Sequence, residues 1–283
     1  MKASMLPARA VGLGVAAVGA LLVGLAASAD AATKLRGARD IAGVWLNFPF
    51  IIGFDPSLKP GEPQKAVLLP EYDVPYQARL AAMAKGEAEG KPIVDSVTLC
   101  LPAGMPGAMM AFFPMEIVVT KKTAYVFPEG VDPPRRIFMD GRSIPPLEDL
   151  EPSFSGYSIG HWEGNMLVVN TAGVKASTRL DGVPHSDAMR INERIRLVDD
   201  DTLEDVFTIT DSKALKVPWV ITKVYKDYNT MAMIGLGGRP PKDPGKHPDH
   251  KGVELVPYEF VCNENNRNLP GEDGVVGAKL GGK

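Results

Sequence analysis

Beyond Ile93 the chain is a succession of short segments in which apolar residues recur at every second position, and this period limits the fold more than any other feature. MEIVVT and TAYVFP flank Lys121-Lys122, and RRIFMD follows a Pro-rich bend. GYSIGHW, MLVVNT, MRINERIRLV, TLEDVFTIT, WVITKVYKDY and VELVPYEFVC come after it. Successive side chains of a strand point to opposite faces, so such alternation describes strands buried on one side. About ten strands at short intervals, joined by turns such as Asp199-Asp200-Asp201, predict an antiparallel barrel or sandwich. A parallel α/β sheet needs a helix between strands, and the sequence leaves no room for one. The 25 prolines and 29 glycines, spread along the chain, suit many short strands and turns.

The region before Ile93 is different. Lys2 and Arg9 precede the apolar run VGLGVAAVGALLVGLAA, and small residues close it at Ala27-Ser28-Ala29 or Ala29-Asp30-Ala31. This is the pattern of a secretory signal peptide over residues 1–31, which places the protein in the periplasm or outside the cell. The rival reading is a retained anchor, for which a run of about 17 residues is near the lower limit. No later segment is long and apolar enough to span a membrane. Ile41–Phe48 reads as a first strand, and Asp73–Ala88 as the one helix, with Asp73 as its cap and Pro75 in its first turn. One domain is expected over residues 32–267, followed by a mobile tail at 268–283.

Lysines and arginines (31) are balanced by acids (34) and no basic stripe appears, which argues against nucleic-acid binding. The two cysteines, Cys100 and Cys262, suggest a disulfide in an exported chain. It would close a loop of roughly 160 residues, an entropic stabilisation of about 4–5 kcal/mol. The alternative makes one of them a nucleophile activated by histidine.

Gly43-x-Trp45 on the opening strand resembles the lipocalin signature, so the expected fold class is mainly β: an antiparallel, barrel-like domain of lipocalin or calycin kind with one short N-terminal helix. A longer set of motifs also looks familiar. It comprises Cys100-x-Pro102-x-Gly104, Pro114-x-Glu116-Ile117, Arg135-Arg136-Ile137 with Asp140-Gly141-Arg142, and GYSIGHWEGNMLVVNT. Pro184-His185-Ser186-Asp187, Asn192-Glu193-Arg194, Asp201-Thr202-Leu203 and Pro218-Trp219 continue it. In these the chain resembles a large family of exported bacterial proteins of mostly unassigned function. The family hairpin commonly reads WEGDTLVVDT. Here Asn165, Met166 and Asn170 replace two acids and a threonine, which removes any mechanism needing carboxylates at 165 or 170.

Several residues are candidates for chemistry. With Gly164-Asn165 as a two-residue turn, Glu163 faces Met166, Trp162 faces Leu167 and His161 faces Val168. Trp162 then joins Leu167 and Val169 on the core side, while His161 and Tyr157 take the other face. His185 lies in a loop with Asp187 close enough to orient its ring, a proton exchanger near neutral pH; the alternative is a histidine capping the backbone. Glu193 shares a face with Ile191, Ile195 and Leu197, where burial would raise its pKa and suit it to acid or base work. The bland reading makes it a structural partner for an arginine. Arg136, Arg142 and Arg194 are candidates to hold a substrate carboxylate, with Tyr157 beside them. Glu264, Asn265 and Asn266 line a site or form a capping turn. His247 and His250 lack a third fixed ligand, so no metal site is expected. No phosphate-cradling glycine loop appears, so no nucleotide or other organic cofactor is expected.

Three functions fit these features. The first is a cofactor-free lyase, decarboxylase or isomerase acting on a hydrophobic, aromatic and acidic small molecule, with His185, Glu193, Asp187 and His161 as proton movers. The second is a lipocalin-like protein that binds such a molecule without turnover. The third is a structural or interaction domain of the envelope.

Overall fold

The alternating segments form strands, and the strands close on themselves. A computed structural model of the chain describes residues 39–48, 65–91, 93, 100–110, 113–130, 132–178 and 182–228. Nine strands form one closed barrel in chain order. They are β1 (Gly43–Asn47), β2 (Met115–Val119), β3 (Thr123–Pro128), β4 (Arg135–Phe138), β5 (Tyr157–Glu163), β6 (Met166–Ala172), β7 (Arg190–Asp199), β8 (Thr202–Thr210) and β9 (Trp219–Asp227). Closure comes from the antiparallel pairing of β1 with β9, where Trp45 stands opposite Asp227. A closed barrel leaves no unpaired sheet edge.

The mainly β, barrel-like expectation is met. One seam departs from the antiparallel pattern: β4 and β5 run parallel, in register only through Ile137–Ser158 and Phe138–Ile159. The parallel pairing follows from the long connection between them, which includes a short 3₁₀ turn at Leu147–Asp149 and lets the chain return to the same end. The tenth segment, VELVPYEFVC, lies outside the described residues, as do the signal segment, Cys262, Glu264 to Asn266, His247, His250 and the 268–283 tail.

Alternation sorts each strand. Trp45 and Asn47 on β1, Met115 and Ile117 on β2, Ala124 and Val126 on β3, and Arg135 and Ile137 on β4 are buried. So are Leu167, Val169 and Thr171 on β6, and Ile191, Glu193 and Ile195 on β7. Leu203, Asp205, Phe207 and Ile209 on β8, with Ile221, Lys223 and Tyr225 on β9, complete the inner wall. Trp45 satisfies its indole N–H by donating to the Ile41 carbonyl at 2.9 Å. The segment before β2 adds a methionine lining, with Met105, Met109 and Met110 all buried. Tyr225 Oη donates to the Met109 carbonyl at 2.7 Å and Asn47 Nδ2 to the Met110 carbonyl at 3.2 Å, which tie this segment to β9 and β1.

The helix, α1 (Pro70–Ala88), starts three residues earlier than expected. Leu69 is its N-cap and Pro70 opens it, so Asp73 lies inside the first turn and accepts a hydrogen bond from Gln77 at 3.1 Å. Pro75 lies past the first turn, and none of the helix residues is buried. The polar pattern all round α1 explains this, since it has no apolar stripe to bury.

The β5–β6 hairpin matches the expected register at every pair, from Tyr157–Ala172 to Glu163–Met166 around the Gly164-Asn165 turn. Gly160 makes that hairpin fit its neighbour. A Cβ there would lie 2.8 Å from Ile137 Cγ2 and 3.4 Å from the Val168 carbonyl oxygen. Gly160→Val therefore overpacks the β4–β5 seam, an effect of about 1–3 kcal/mol. Urea unfolding should show a lower midpoint with an unchanged slope; an unchanged midpoint would show that the seam has room to spare.

Candidate functional site

The inner wall carries a polar centre among its apolar side chains. Arg135 is the inward residue of β4, and its guanidinium reaches Glu193 on β7. Nη1 donates to Glu193 Oε1 at 2.7 Å and Nη2 donates to Oε2, a bidentate pair. Nη2 also donates to Thr171 Oγ1 at 2.9 Å, and Nε donates to Ser158 Oγ at 3.2 Å. The two hydroxyls are 2.8 Å apart and bond to each other. Both charged residues are almost wholly removed from water, at 1% exposure for Arg135 and 0% for Glu193. Charges so deeply buried persist only when paired and hydrogen-bonded, and here both conditions hold.

Asp205 disturbs this balance. It is on β8, diagonal to Glu193 across the β7–β8 register, where Glu193 pairs with Phe207 and Ile195 with Asp205. Among the described residues neither of its carboxyl oxygens makes a hydrogen bond of good geometry, the Arg194 backbone amide being near but poorly placed. Burial, then the neighbouring Glu193 carboxylate, holds its pKa well above the ordinary value, with Arg135 and the Arg194 backbone amide opposing. One guanidinium therefore serves two carboxyl groups, and burial favours the protonated form of the second. Protonated Asp205 can point that proton at Glu193. Tyr225 belongs to the same neighbourhood, and burial first, with the two acids adding to it, holds its phenol above the usual range. Lys223 stands opposite Asp205 in the β8–β9 register, and burial lowers its ammonium pKa to about 8.

Chemically the centre holds an acid that burial pushes toward its neutral form beside a carboxylate paired with a guanidinium. An acid with a raised pKa is suited to proton donation. Trp45, Phe207 and Tyr225 of the same inner wall are almost wholly buried.

Of the residues singled out from sequence, only Glu193 is in this centre, on the face expected of it. Its arginine is Arg135, whereas Arg136, expected to hold a substrate carboxylate, faces outward. Arg136, Arg142 and Tyr157 do come together, but on the outer wall. There Arg136 lies 5.5 Å from the Tyr125 ring centroid, and Arg142 lies 3.9 Å from that of Phe138. Arg142 also reaches the Tyr157 hydroxyl at 3.4 Å and pairs with Asp140, which lowers the Asp140 pKa to about 2. His161, Glu163 and Arg194 form a second outer group. His161 Nε2 is 3.2 Å from Glu163 Oε1 and Arg194 Nη2 is 3.1 Å from Oε2, and these bonds lower the Glu163 pKa, that from His161 most.

The expected His185–Asp187 pairing is absent. Asp187 is exposed and pairs with Lys213 at 2.6 Å, which lowers its pKa. The backbone directs this: Ser186 turns inward, and its N–H and hydroxyl both donate to buried Asp211, at 2.6 and 2.7 Å. The next side chain along the loop is left outside. His185 Nδ1 lies 2.9 Å from the Ser186 carbonyl, so Nδ1 carries a proton, and Nε2 lies 2.8 Å from Thr178 Oγ1. Its geometry is that of the backbone-capping alternative.

Sequence reasoning missed Arg135, Asp205 and Lys223, although the signal that found Glu193 was present for each. Asp205 alternates with Leu203, Phe207 and Ile209, and Lys223 with Ile221 and Tyr225. Among the described residues no group of three or more His, Cys, Asp or Glu could hold a metal ion, and no helix is long and apolar enough to cross a membrane. No family model, no curated protein and no solved structure matches the chain.

The two acids respond differently to amide substitution. Asp205→Asn keeps the shape of the protonated acid and supplies an N–H toward Glu193. The raised pKa of Asp205 means that the folded chain binds more protons than the unfolded one above about pH 3.9, so stability falls as pH rises from there. D205N removes that loss, by up to about 1.4 kcal/mol for each pH unit. Urea midpoints at pH 4 and pH 7 should draw apart for wild type more than for D205N. Parallel behaviour of the two would show Asp205 to be ionised. Glu193→Gln instead leaves Arg135 buried without its counter-charge, and should cost about 3–5 kcal/mol at pH 7.

Proposed function

We propose that the protein is an exported, cofactor-free enzyme of lyase, decarboxylase or isomerase type, acting on a hydrophobic, aromatic and acidic small molecule. The observation that supports the reading is the buried Asp205 carboxyl, whose oxygens make no hydrogen bond of good geometry among the described residues beside the Arg135–Glu193 pair. A structural polar cluster gains from satisfying every member well, and a poorly satisfied buried acid is a feature of sites that move protons.

In a decarboxylation the substrate C–C bond breaks, carbon dioxide leaves, and Asp205 gives its proton to the carbon left behind. The carboxylate then formed on Asp205 takes up a solvent proton, which resets the site. Glu193 orients the guanidinium. The test is incubation of the purified protein with a panel of aromatic acids, followed by mass spectrometry of the products. Turnover should be lost in D205N, while its circular dichroism stays native. Turnover unaffected by D205N would remove Asp205 from the chemistry.

A second reading is a lipocalin-like binding protein. It is favoured by the position of His161 and His185, which leaves the barrel interior without a histidine among the described residues. Ligand retained through purification, with no product from any acid of the panel, would establish it.

Export and the Cys100–Cys262 disulfide belong to the same proposal. Among the described residues there is no free cysteine, and Cys100 is at a positive φ of 56° at the head of the methionine segment. Thiol titration of unfolded, unreduced protein recovered from the producing cells should find no free thiol, and N-terminal sequencing should start at residue 30 or 32. Two titratable thiols would end the disulfide reading.

A further inference from the structure

The outer wall over β2–β5 has a composition that its position in a monomer does not explain. From β3 to β5 the outward side chains are Tyr125 and Phe127, Arg136 and Phe138, then Tyr157. Their rings run in pairs: Tyr125 stacks on Phe127 at 6.0 Å, and Phe138 meets Tyr157 at 5.2 Å with the rings tilted. Val118, opposite Tyr125, and Phe127 remain 36% and 37% exposed. Arg136 joins the two ring pairs, 5.5 Å from the Tyr125 centroid and 5.9 Å from that of Phe138.

The charges on this wall are unevenly answered. Arg142 is neutralised by Asp140. Arg136 is exposed and lies near two rings, yet among the described residues its side chain makes no hydrogen bond or ion pair. Such a guanidinium is set to take a carboxylate in a bidentate pair, with little freedom left to lose. Glu116 on β2, opposite Phe127 of β3, is the matching half: it faces outward, and among the described residues its carboxylate likewise accepts no hydrogen bond and makes no ion pair.

The wall is the convex outside of a barrel, whereas small-molecule sites are concave. Aromatic residues and arginine at the centre of an exposed face are the composition of a protein–protein interface. We infer that this wall is a docking surface for a second copy of the chain, in a two-fold dimer that pairs Arg136 of each copy with Glu116 of the other.

The register makes the pairing self-consistent. Tyr125 is opposite Arg136 and Phe127 is opposite Glu116, so the two charges flank the Tyr125–Phe127 stack on opposite corners. Strand spacing and rise put their backbones about 12 Å apart, too far to pair within one copy. A two-fold axis lying in the contact plane and passing between Tyr125 and Phe127 brings each charge over its opposite. The ring stacks of the two copies then meet at the centre, where water is excluded and the ion pairs gain strength. Lys121 and Lys122, exposed on the β2–β3 turn, stay at the rim.

The experiment is sedimentation equilibrium of the protein recovered from the producing cells, with urea midpoints as the control for folding. Wild type should dimerise. Arg136→Glu and Glu116→Arg should each weaken the dimer by tenfold or more without shifting the urea midpoint. The double variant R136E/E116R should recover most of the loss. A monomer at every concentration overturns the proposal, as does a dimer that ignores both single reversals or a double variant no better than either single one. The readout is independent of turnover, so its failure leaves the enzymatic proposal standing.

Discussion

The Arg135–Glu193 pair holds the barrel together where its backbone is weakest. β4 has four residues and meets β5 through two parallel register pairs, the thinnest seam in the sheet. From β4, Arg135 reaches Ser158 on β5, Thr171 on β6 and Glu193 on β7. One side chain thus ties four consecutive strands from inside, across the seam where ladder hydrogen bonds are fewest. Removing two charges from water costs several kcal/mol per ion, which the bidentate geometry and the two hydroxyls offset. An apolar pair of equal volume would fill the space, but it would not fix the angle between β4 and β7.

This strap also sets the state of its neighbour. A buried cluster tolerates little net charge, and Glu193 already answers Arg135. Asp205 then has two options, to ionise against a carboxylate or to keep its proton, and burial decides for the second. The raised pKa of Asp205 is therefore a consequence of burial beside a pair whose one guanidinium is already answered. In the proposed chemistry function and stability meet here: the group that would give up a proton is the group whose ionisation the fold resists. Tyr225 carries the same resistance, its phenol raised by burial and the two acids.

Much of this architecture was legible in the alternation of apolar residues. The strand segments, the β5–β6 register and the inward face of Glu193 follow from a period of two and from a two-residue turn at Gly164-Asn165. The helix start was misjudged because Asp73 is a good cap by type, while Pro70 at the first position and the extended Leu69 before it set the boundary. The parallel β4–β5 seam was not legible, because period two is the same for either direction of pairing. Three-dimensional partners were the other loss. His185 and Asp187 are two apart in sequence, which suggested a pair, yet the Ser186–Asp211 bonds turn the loop so that Asp187 faces Lys213.

Arg135 and Arg136 show why a chemical type could be read and its place could not. The dipeptide is symmetrical in charge, and the next two residues, Ile137 and Phe138, are both apolar. Hydrophobicity alone lets β4 sit in either of two registers, and a slip of one residue reverses every side chain. What distinguishes them lies on other strands. Gly160 accepts the Ile137 side chain closely, Glu193 and the two hydroxyls fit one guanidinium, and the Tyr125 ring gives the other an outer seat. With Arg135 inward, the inner carboxylate is neutralised and the outer arginine is left with rings and no acid. A single choice of register thus creates both the closed centre of the barrel and the unanswered charge on its surface.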